Sequence, residues 1–385
     1  MFSKRVLEMK YPSLYGIAKL AQGLKDVIYL NVGEPDFKTP EHIIEAAKRA
    51  LDSGYTHYTP DSGIYKLREA IAEKESEKLK KELKVDNVLV TIGATQAIFS
   101  AIMALVDPGQ EVIVPDPWYP GYVRAIILAG GKPVPVRLIE EKEYQMNIDE
   151  LNEKISENTK VIILATPNNP TGALLDKKTL KGIAEIAADN KIFVISDEVY
   201  DKFVYESEFH SIGEFSEVDE LAIIVNSFSK TYAMTGWRIG YAVASKPIIE
   251  EMLKVTLASA LSPNSIAQYA ALEALKGPQE PVERMIREFR KRRDTILEEL
   301  SKIKEIRFVK PKGAFYVFPN TSKLNIDDVE LVKYLVQRAR VVTSPGYPFF
   351  GPSGKGHIRI AYTVSVEKLR EACSRIREAI AEIKH

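Results

Sequence analysis

The stretch "AIIVNSFSKTYAMTGWRIGYAVA", residues 222 to 244, begins as an apolar run, breaks into hydroxyls around a single lysine, and closes in a second apolar run. A short run rich in Val and Ile and bounded by polar turn residues reads as a buried strand, so Lys230 sits directly beyond a strand end. Desolvation there penalises the ammonium, lowers its pKa and exposes a nucleophilic amine. That is the setting for Schiff-base chemistry, and Ser227, Ser229 and Arg238 add groups suited to phosphate around the same lysine.

Working outward, the same kind of apolar run recurs as "VLVT" (88–91), "EVIV" (111–114), "VIILA" (161–165) and "IFVIS" (192–196), with "IGYAVA" (239–244) closing the series. Amphipathic segments such as "KKTLKGIAEIAADN" (177–190) separate most of them. This alternation predicts an α/β fold with a mainly parallel sheet flanked by helices. From about residue 264 the pattern turns helical, including "PVERMIREFRKRRDTILEELSKI", and then gives short strand signals at "IRFV", "AFYVF" and "HIRIAY". These describe a second, smaller α+β domain, which in the expected fold is built from both termini. The expected division is an N-terminal arm and part of the small domain over 1–40, a large domain over 41–284, and the remainder of the small domain over 285–385.

A chain of 385 residues exceeds what one core usually holds. Its 53 basic and 53 acidic side chains cancel, so no electrostatic argument favours nucleic acid or an anionic membrane surface, and a small-molecule partner is expected. The single cysteine, Cys373, cannot form an intrachain disulfide and reads as a small buried residue, which fits a cytoplasmic setting. No stretch approaches the roughly 20 apolar residues of a membrane span. The charged run "EKESEKLKKELK" (73–84) reads as a solvated helix face.

In open α/β sheets ligands sit beyond the carboxyl ends of the strands, and four polar constellations fall there. After "VLVT", the turn Gly93-Ala94-Thr95 offers backbone N–H groups and a hydroxyl at a helix N-terminus, a place for phosphate or a simple cap. After "VIILA", "ATPNNPTG" (165–172) is either ordinary turn punctuation or a means of presenting the Asn169 amide to a ligand oxygen. After "IFVI", Asp197 needs a cationic partner or several donors, and Tyr200 lies within reach of the same strand end. The fourth constellation is the lysine stretch itself. One ligand accounts for all four: a phosphorylated aldehyde whose ring nitrogen takes an acid partner, namely pyridoxal 5′-phosphate.

These motifs, with "LNVGEPDF" near the start and "GHIRIAY" near the end, closely resemble the class I aminotransferases of the pyridoxal-phosphate fold-type-I family, in the prokaryotic aspartate/aromatic subgroup. The resemblance implies a homodimer that moves an amino group between an L-amino acid and a 2-oxo acid by a ping-pong mechanism, with Lys230 forming the Schiff base and then serving as the general base. Asp197 would pair with the pyridine nitrogen, and Tyr200 and Asn169 would donate to the ring's phenolic oxygen. Arg238, Ser227, Ser229 and the Ala94–Thr95 turn would hold the phosphate, with Tyr58 reaching in from the neighbouring subunit. Tyr119 would stack on the ring in preference to its neighbour Trp118. Arg359 and Gly33 would bind the substrate α-carboxylate. Substrate side-chain contacts are expected from Tyr15, "SALSPNS" (259–265) and "GYPFF" (346–350).

Other readings compete less well. "GPSGKGH" (351–357) lacks the spacing of a phosphate-binding P-loop, no metal site is expected, and no DNA-binding unit is apparent. A lyase or synthase on the same fold and cofactor is the alternative enzymatic reading.

Overall fold

The computed structural model of the chain describes residues 2–9, 16 and 19–383. Its strands in chain order begin with β1 (Ile28–Tyr29), β2 (Val88–Thr91), β3 (Glu111–Asp116), β4 (Lys132–Ile139) and β5 (Gln145–Met146). They continue with β6 (Thr159–Ala165), β7 (Phe193–Asp197), β8 (Ala222–Ser227) and β9 (Gly240–Val243). Strands β2 to β9 form one eight-stranded sheet in the order β2-β9-β8-β7-β6-β3-β4-β5. The five inner strands from β8 to β4 pair in parallel, whereas β9 is antiparallel to both its neighbours and β5 to β4. The sheet is thus mainly parallel, as expected.

Both faces of the inner strands are apolar for a simple reason. Successive side chains point to opposite faces, so Ile162 and Leu164 of β6 enter one apolar cluster while Val161 and Ile163 enter the other. Helices cover each side. The strand over 132–139 has no counterpart among the runs read from sequence, because Pro133 and Pro135 interrupt its pattern. They are tolerated since β5 pairs only with Leu138 and Ile139, which leaves the proline half at the sheet edge.

From β3 the chain passes to β4 on one side, and from β6 to β7 and β8 on the other. The order therefore reverses between β3 and β6, and the crevice beyond their carboxyl ends is the favoured ligand position.

The C-terminal part adds β10 (Tyr316–Val317), β11 (Val341–Val342), β12 (Ser344–Pro345) and β13 (Ile358–Ala361). Strand β13 pairs antiparallel with both β10 and β12, and β1 pairs in parallel with β11. The segment after β1 is stitched in further: Ala361 N–H donates to the Leu30 carbonyl (2.8 Å), and Thr363 Oγ1 to that of Val32 (2.9 Å). "IRFV" forms no strand, only an isolated bridge between Arg307 and Asn320. The 22-residue helix Glu280–Ser301 joins these parts through Phe289, whose ring lies 5.7 Å from Phe37, 5.5 Å from Phe203 and 5.1 Å from Phe315. Among the described residues no helix is long and apolar enough to cross a membrane. Cys373 is buried, as expected.

The charged run 73–84 corrects its sequence reading. Glu75, on the helix Tyr65–Leu79, is completely buried, and Lys78 is only 16 % exposed. Lys78 Nζ lies 2.5 Å from Glu75 Oε2, 3.0 Å from Glu198 Oε2 and 3.6 Å from Asp201 Oδ2. Opposite charges on the sheet draw this part of the run inward, a pairing that helical periodicity cannot display. Asp201 Oδ2 then accepts from Asn226 Nδ2 (2.9 Å), and Asn226 Oδ1 from the Ser227 N–H (2.7 Å), so the network steadies the ends of β7 and β8.

Lys78→Met should destabilise the protein by about 3–5 kcal/mol in denaturant titrations at neutral pH, because three carboxylates lose their shared cation. Burial alone would raise the Glu75 carboxyl, but Lys78, Lys74 and the hydrogen bond from Tyr241 hold it down to about 2. Its stabilisation is therefore complete above the ordinary carboxylate range and is lost as pH falls toward 2. The difference between wild type and variant should narrow correspondingly in acid, and a constant difference would refute the assignment.

Candidate active site

The crevice at the strand-order reversal opens into a cavity of about 560 Å³. Tyr119 follows β3, Asn169 follows β6, Asp197 ends β7 and Lys230 follows β8; all four side chains line it.

At one end the helix Gly93–Leu105 starts directly after β2, leaving the N–H groups of its first turn without helical partners. Ala94, Thr95, Ser227, Ser229 and Arg238 gather around this turn as part of the cavity wall. Two glycines permit the approach. A Cβ at Gly93 (φ 71°) would lie 2.6 Å from Arg238 Nη2, and one at Gly240 would lie 2.8 Å from the Ala94 nitrogen. Arg238 Nη1 donates to the Thr235 carbonyl (2.8 Å), and the Ser227 and Ser229 hydroxyls are 2.9 Å apart.

At the other end Arg359, on β13, is 2 % exposed. It donates to Asn169 Oδ1 (2.9 Å) and to the Asn31 carbonyl (2.6 Å), lies over the rings of Tyr316 and Phe350, and among the described residues leaves Nε unpartnered. Between the ends, Lys230 Nζ donates to the Gly33 carbonyl (2.7 Å). Asp197 is buried and, among the described residues, accepts only from Tyr122 O–H (2.6 Å) and, weakly, from Val199 N–H (3.4 Å). Tyr200 and Tyr316 join their hydroxyls at 2.7 Å.

The electrostatics follow from burial. Desolvation lowers the Lys230 ammonium to about 8; Glu34 opposes the shift, and the positive charges of Arg238 and Arg359 add to it. Burial raises the Asp197 carboxyl, against the Tyr122 hydrogen bond, and depresses Arg359. Among the described residues neither Asp197 nor Arg359 has an oppositely charged side chain within ion-pair distance.

The structure thus brings together Gly33, Ala94, Thr95, Tyr119, Asn169, Asp197, Tyr200, Ser227, Ser229, Lys230, Arg238 and Arg359. Trp118 does not line the cavity; it packs where a Cβ on Gly351 would come within 2.9 Å of its ring. Tyr58 is 84 % exposed and lies outside the cavity of its own chain. Tyr15 lies outside the described residues. Within this single chain Phe349 and Phe350 of "GYPFF" are buried, and no residue of "SALSPNS" lines the cavity. Aromatic Phe350 turns inward because its ring packs against Arg359 and Phe318.

Sequence reasoning missed Tyr122, Tyr316, Asn31, Glu34 and Thr235, which also line the cavity. Tyr122 was accessible in principle, lying three residues after Tyr119 on the first turn of the helix Pro120–Ala129. Thr235 donates to Glu34 and so links the lysine loop to "NVGEPDF".

Comparison with known proteins identifies the family. The family described as Aminotransferase class I and II matches residues 25–376. The aromatic-amino-acid aminotransferase 2 of Thermococcus litoralis is 41% identical over 387 residues, with 98% of each chain covered. The aspartate aminotransferase of Pyrococcus horikoshii is 43% identical over 380 residues, covering 98% of this chain and 97% of the relative. The solved alanine aminotransferase of Pyrococcus furiosus superposes with a TM-score of 0.93 at 38% identity, covering 99% of this chain and 100% of that one. The chain belongs to the class I and II aminotransferase family and has the fold-type-I architecture. Its activity is amino-group transfer, and the lyase alternative is not favoured.

The geometry sets a test for the lysine. In the ligand-free enzyme, acetic anhydride labelling of the Lys230 peptide should rise with a midpoint near pH 8, matching the amine lowered to about 8. A midpoint near that of ordinary surface lysines would mean that Lys230 is not desolvated.

Proposed function

We propose that the cavity binds pyridoxal 5′-phosphate and that the enzyme moves an amino group between an L-amino acid, such as aspartate, an aromatic amino acid or alanine, and a 2-oxo acid, with 2-oxoglutarate as an acceptor. The observation carrying this reading is the pair of uncompensated buried charges in one cavity, Asp197 and Arg359, on either side of the depressed lysine. A protonated ring nitrogen answers the first and a substrate carboxylate the second.

The residues present fit the cofactor. The N–H groups of the Ala94–Thr95 turn, the Ser227 and Ser229 hydroxyls and Arg238 suit its phosphate. Tyr119 supplies a stacking face. Asn169 Oδ1 is engaged by Arg359, which leaves Nδ2 to donate to the phenolic oxygen beside Tyr200. When bound, the cofactor supplies an electron sink for the breaking Cα–H bond. Asp197 holds the ring-nitrogen proton, and Arg359 with the Gly33 backbone orients the α-carboxylate. Lys230 Nζ would take and hold the Cα proton, since desolvation lowers its ammonium to about 8 and makes the free amine more accessible than on an ordinary lysine.

The functional unit in this reading is a cytoplasmic homodimer in which the exposed Tyr58 completes the neighbouring phosphate site. The domain division is residues 1–40 and 285–385 around 41–284, supported by the pairing of β1 with β11.

Lys230→Ala should abolish the visible absorbance band produced by adding pyridoxal phosphate, together with nearly all turnover; a variant keeping both would overturn the assignment. Arg359→Lys should raise KM for every amino acid tested by about tenfold or more, since the planar fork is lost. An increase confined to one substrate would instead place Arg359 at its side chain.

A further inference from the structure

We propose that Tyr316 is a positioning residue that sets the hydrogen bond given by Tyr200 and the plane of Arg359 at the same time. The inference rests on the cofactor reading above and concerns a residue outside the motifs that suggested it.

Register brings these groups together. Tyr316 on β10 pairs with Ala361 on β13, and Arg359, two residues before Ala361, points to the same face as its diagonal neighbour. The guanidinium accordingly lies 4.7 Å from the centroid of the Tyr316 ring. The rings of Tyr200 and Tyr316 meet edge to face, 5.7 Å apart at 88°. On a third side, a Cβ built on Gly33 would fall 1.8 Å from the Tyr316 hydroxyl. The same Gly33 accepts the hydrogen bond from Lys230. Tyr316, 1 % exposed, thus touches three working groups of the cavity.

Proton counting gives the direction of its effect. A phenol has one proton to donate, and burial raises both Tyr200 and Tyr316 above the ordinary phenol value, so both stay protonated. At 2.7 Å one hydroxyl donates to the other. If Tyr200 is to donate to an anionic oxygen in the cavity, its proton is unavailable to Tyr316, and Tyr316 must be the donor. Accepting that bond polarises Tyr200 and strengthens its own donation, as in any hydrogen-bond chain. The stacked ring meanwhile fixes the guanidinium plane that meets the substrate carboxylate.

The test loads wild type, Tyr316→Phe and Tyr316→Ala with pyridoxal phosphate and follows visible absorbance against pH. Donation from Tyr200 favours the deprotonated, anionic form, so weakening it raises the midpoint. Tyr316→Phe should shift the midpoint upward by about 0.3 unit and leave KM for amino acids within about twofold, because the ring remains. In a Tyr200→Phe background the same substitution should give no further shift. Tyr316→Ala should raise KM several-fold for every amino acid tested. An unchanged or lowered midpoint in Tyr316→Phe would overturn the proposal, as would an equal shift in the Tyr200→Phe background. Absence of any visible band in wild type is a different result, and would remove the cofactor reading itself.

Discussion

A carboxylate buried at a strand end without a cation is costly, and among the described residues Asp197 is such a group. Its donors are the Tyr122 hydroxyl and the distant Val199 N–H. This constraint organises the surroundings. Tyr122 comes from the helix after β3, on the far side of β6 from Asp197, so the contact spans the place where strand order reverses. The sheet's topology creates the crevice, and the unpaired charge gives that crevice a chemical demand that the protein alone does not meet. Arg359 imposes a matching demand of opposite sign, with its neutral partners occupying only part of the guanidinium.

Meeting both demands requires parts remote in sequence to be held at ångström precision. The chain after β1 runs between β11 and β13, carrying the Asn31 carbonyl to Arg359 and Gly33 to Lys230. Gly33 is there because Tyr316 leaves no room for a side chain. Phe289 packs against residues before, within and after the large sheet, coupling the cavity's walls through a rigid aromatic contact. Behind β7 and β8, the Lys78 network shields further carboxylates from the site. Glu198 faces that network although it directly follows Asp197, because its N–H still donates to the Val225 carbonyl of β8 and successive side chains in such extended backbone point to opposite sides.

Much of this was legible in sequence because strand ends announce themselves: an apolar run stopping at Asp197, Ser227 or Ala165 places the next polar residues at the crevice. Residues whose roles depend on partners elsewhere were less visible. Tyr316 sits in the pattern "AFYVF", which says strand but not that its ring lies beneath Arg359; that follows from pairing with β13. Glu75 and Lys78 look solvated on a helical wheel and become buried only through carboxylates over a hundred positions away. The prolines of 132–139 hide a strand that tolerates them only at an edge. In "GYPFF" the sequence does not show that Phe350 packs against Arg359 and Phe318.

A ping-pong transfer brings an amino acid and a 2-oxo acid to the same groups in alternation, and they share only the α-carboxylate and the atoms around Cα. In the proposed function the fixed Arg359 would be the common element, held by the Asn31 carbonyl and by Asn169. Asn169 uses its oxygen on Arg359 and retains its amide protons for the cavity, so in the proposed function one side chain would serve both substrate recognition and cofactor polarisation. Lys230 completes the balance. Arg238 and Arg359 help desolvation bring its ammonium down to about 8, so that the free amine forms far more readily than on an ordinary lysine, while Glu34 limits the shift. The same positive ends that suit phosphate and carboxylate thereby make the lysine between them a base.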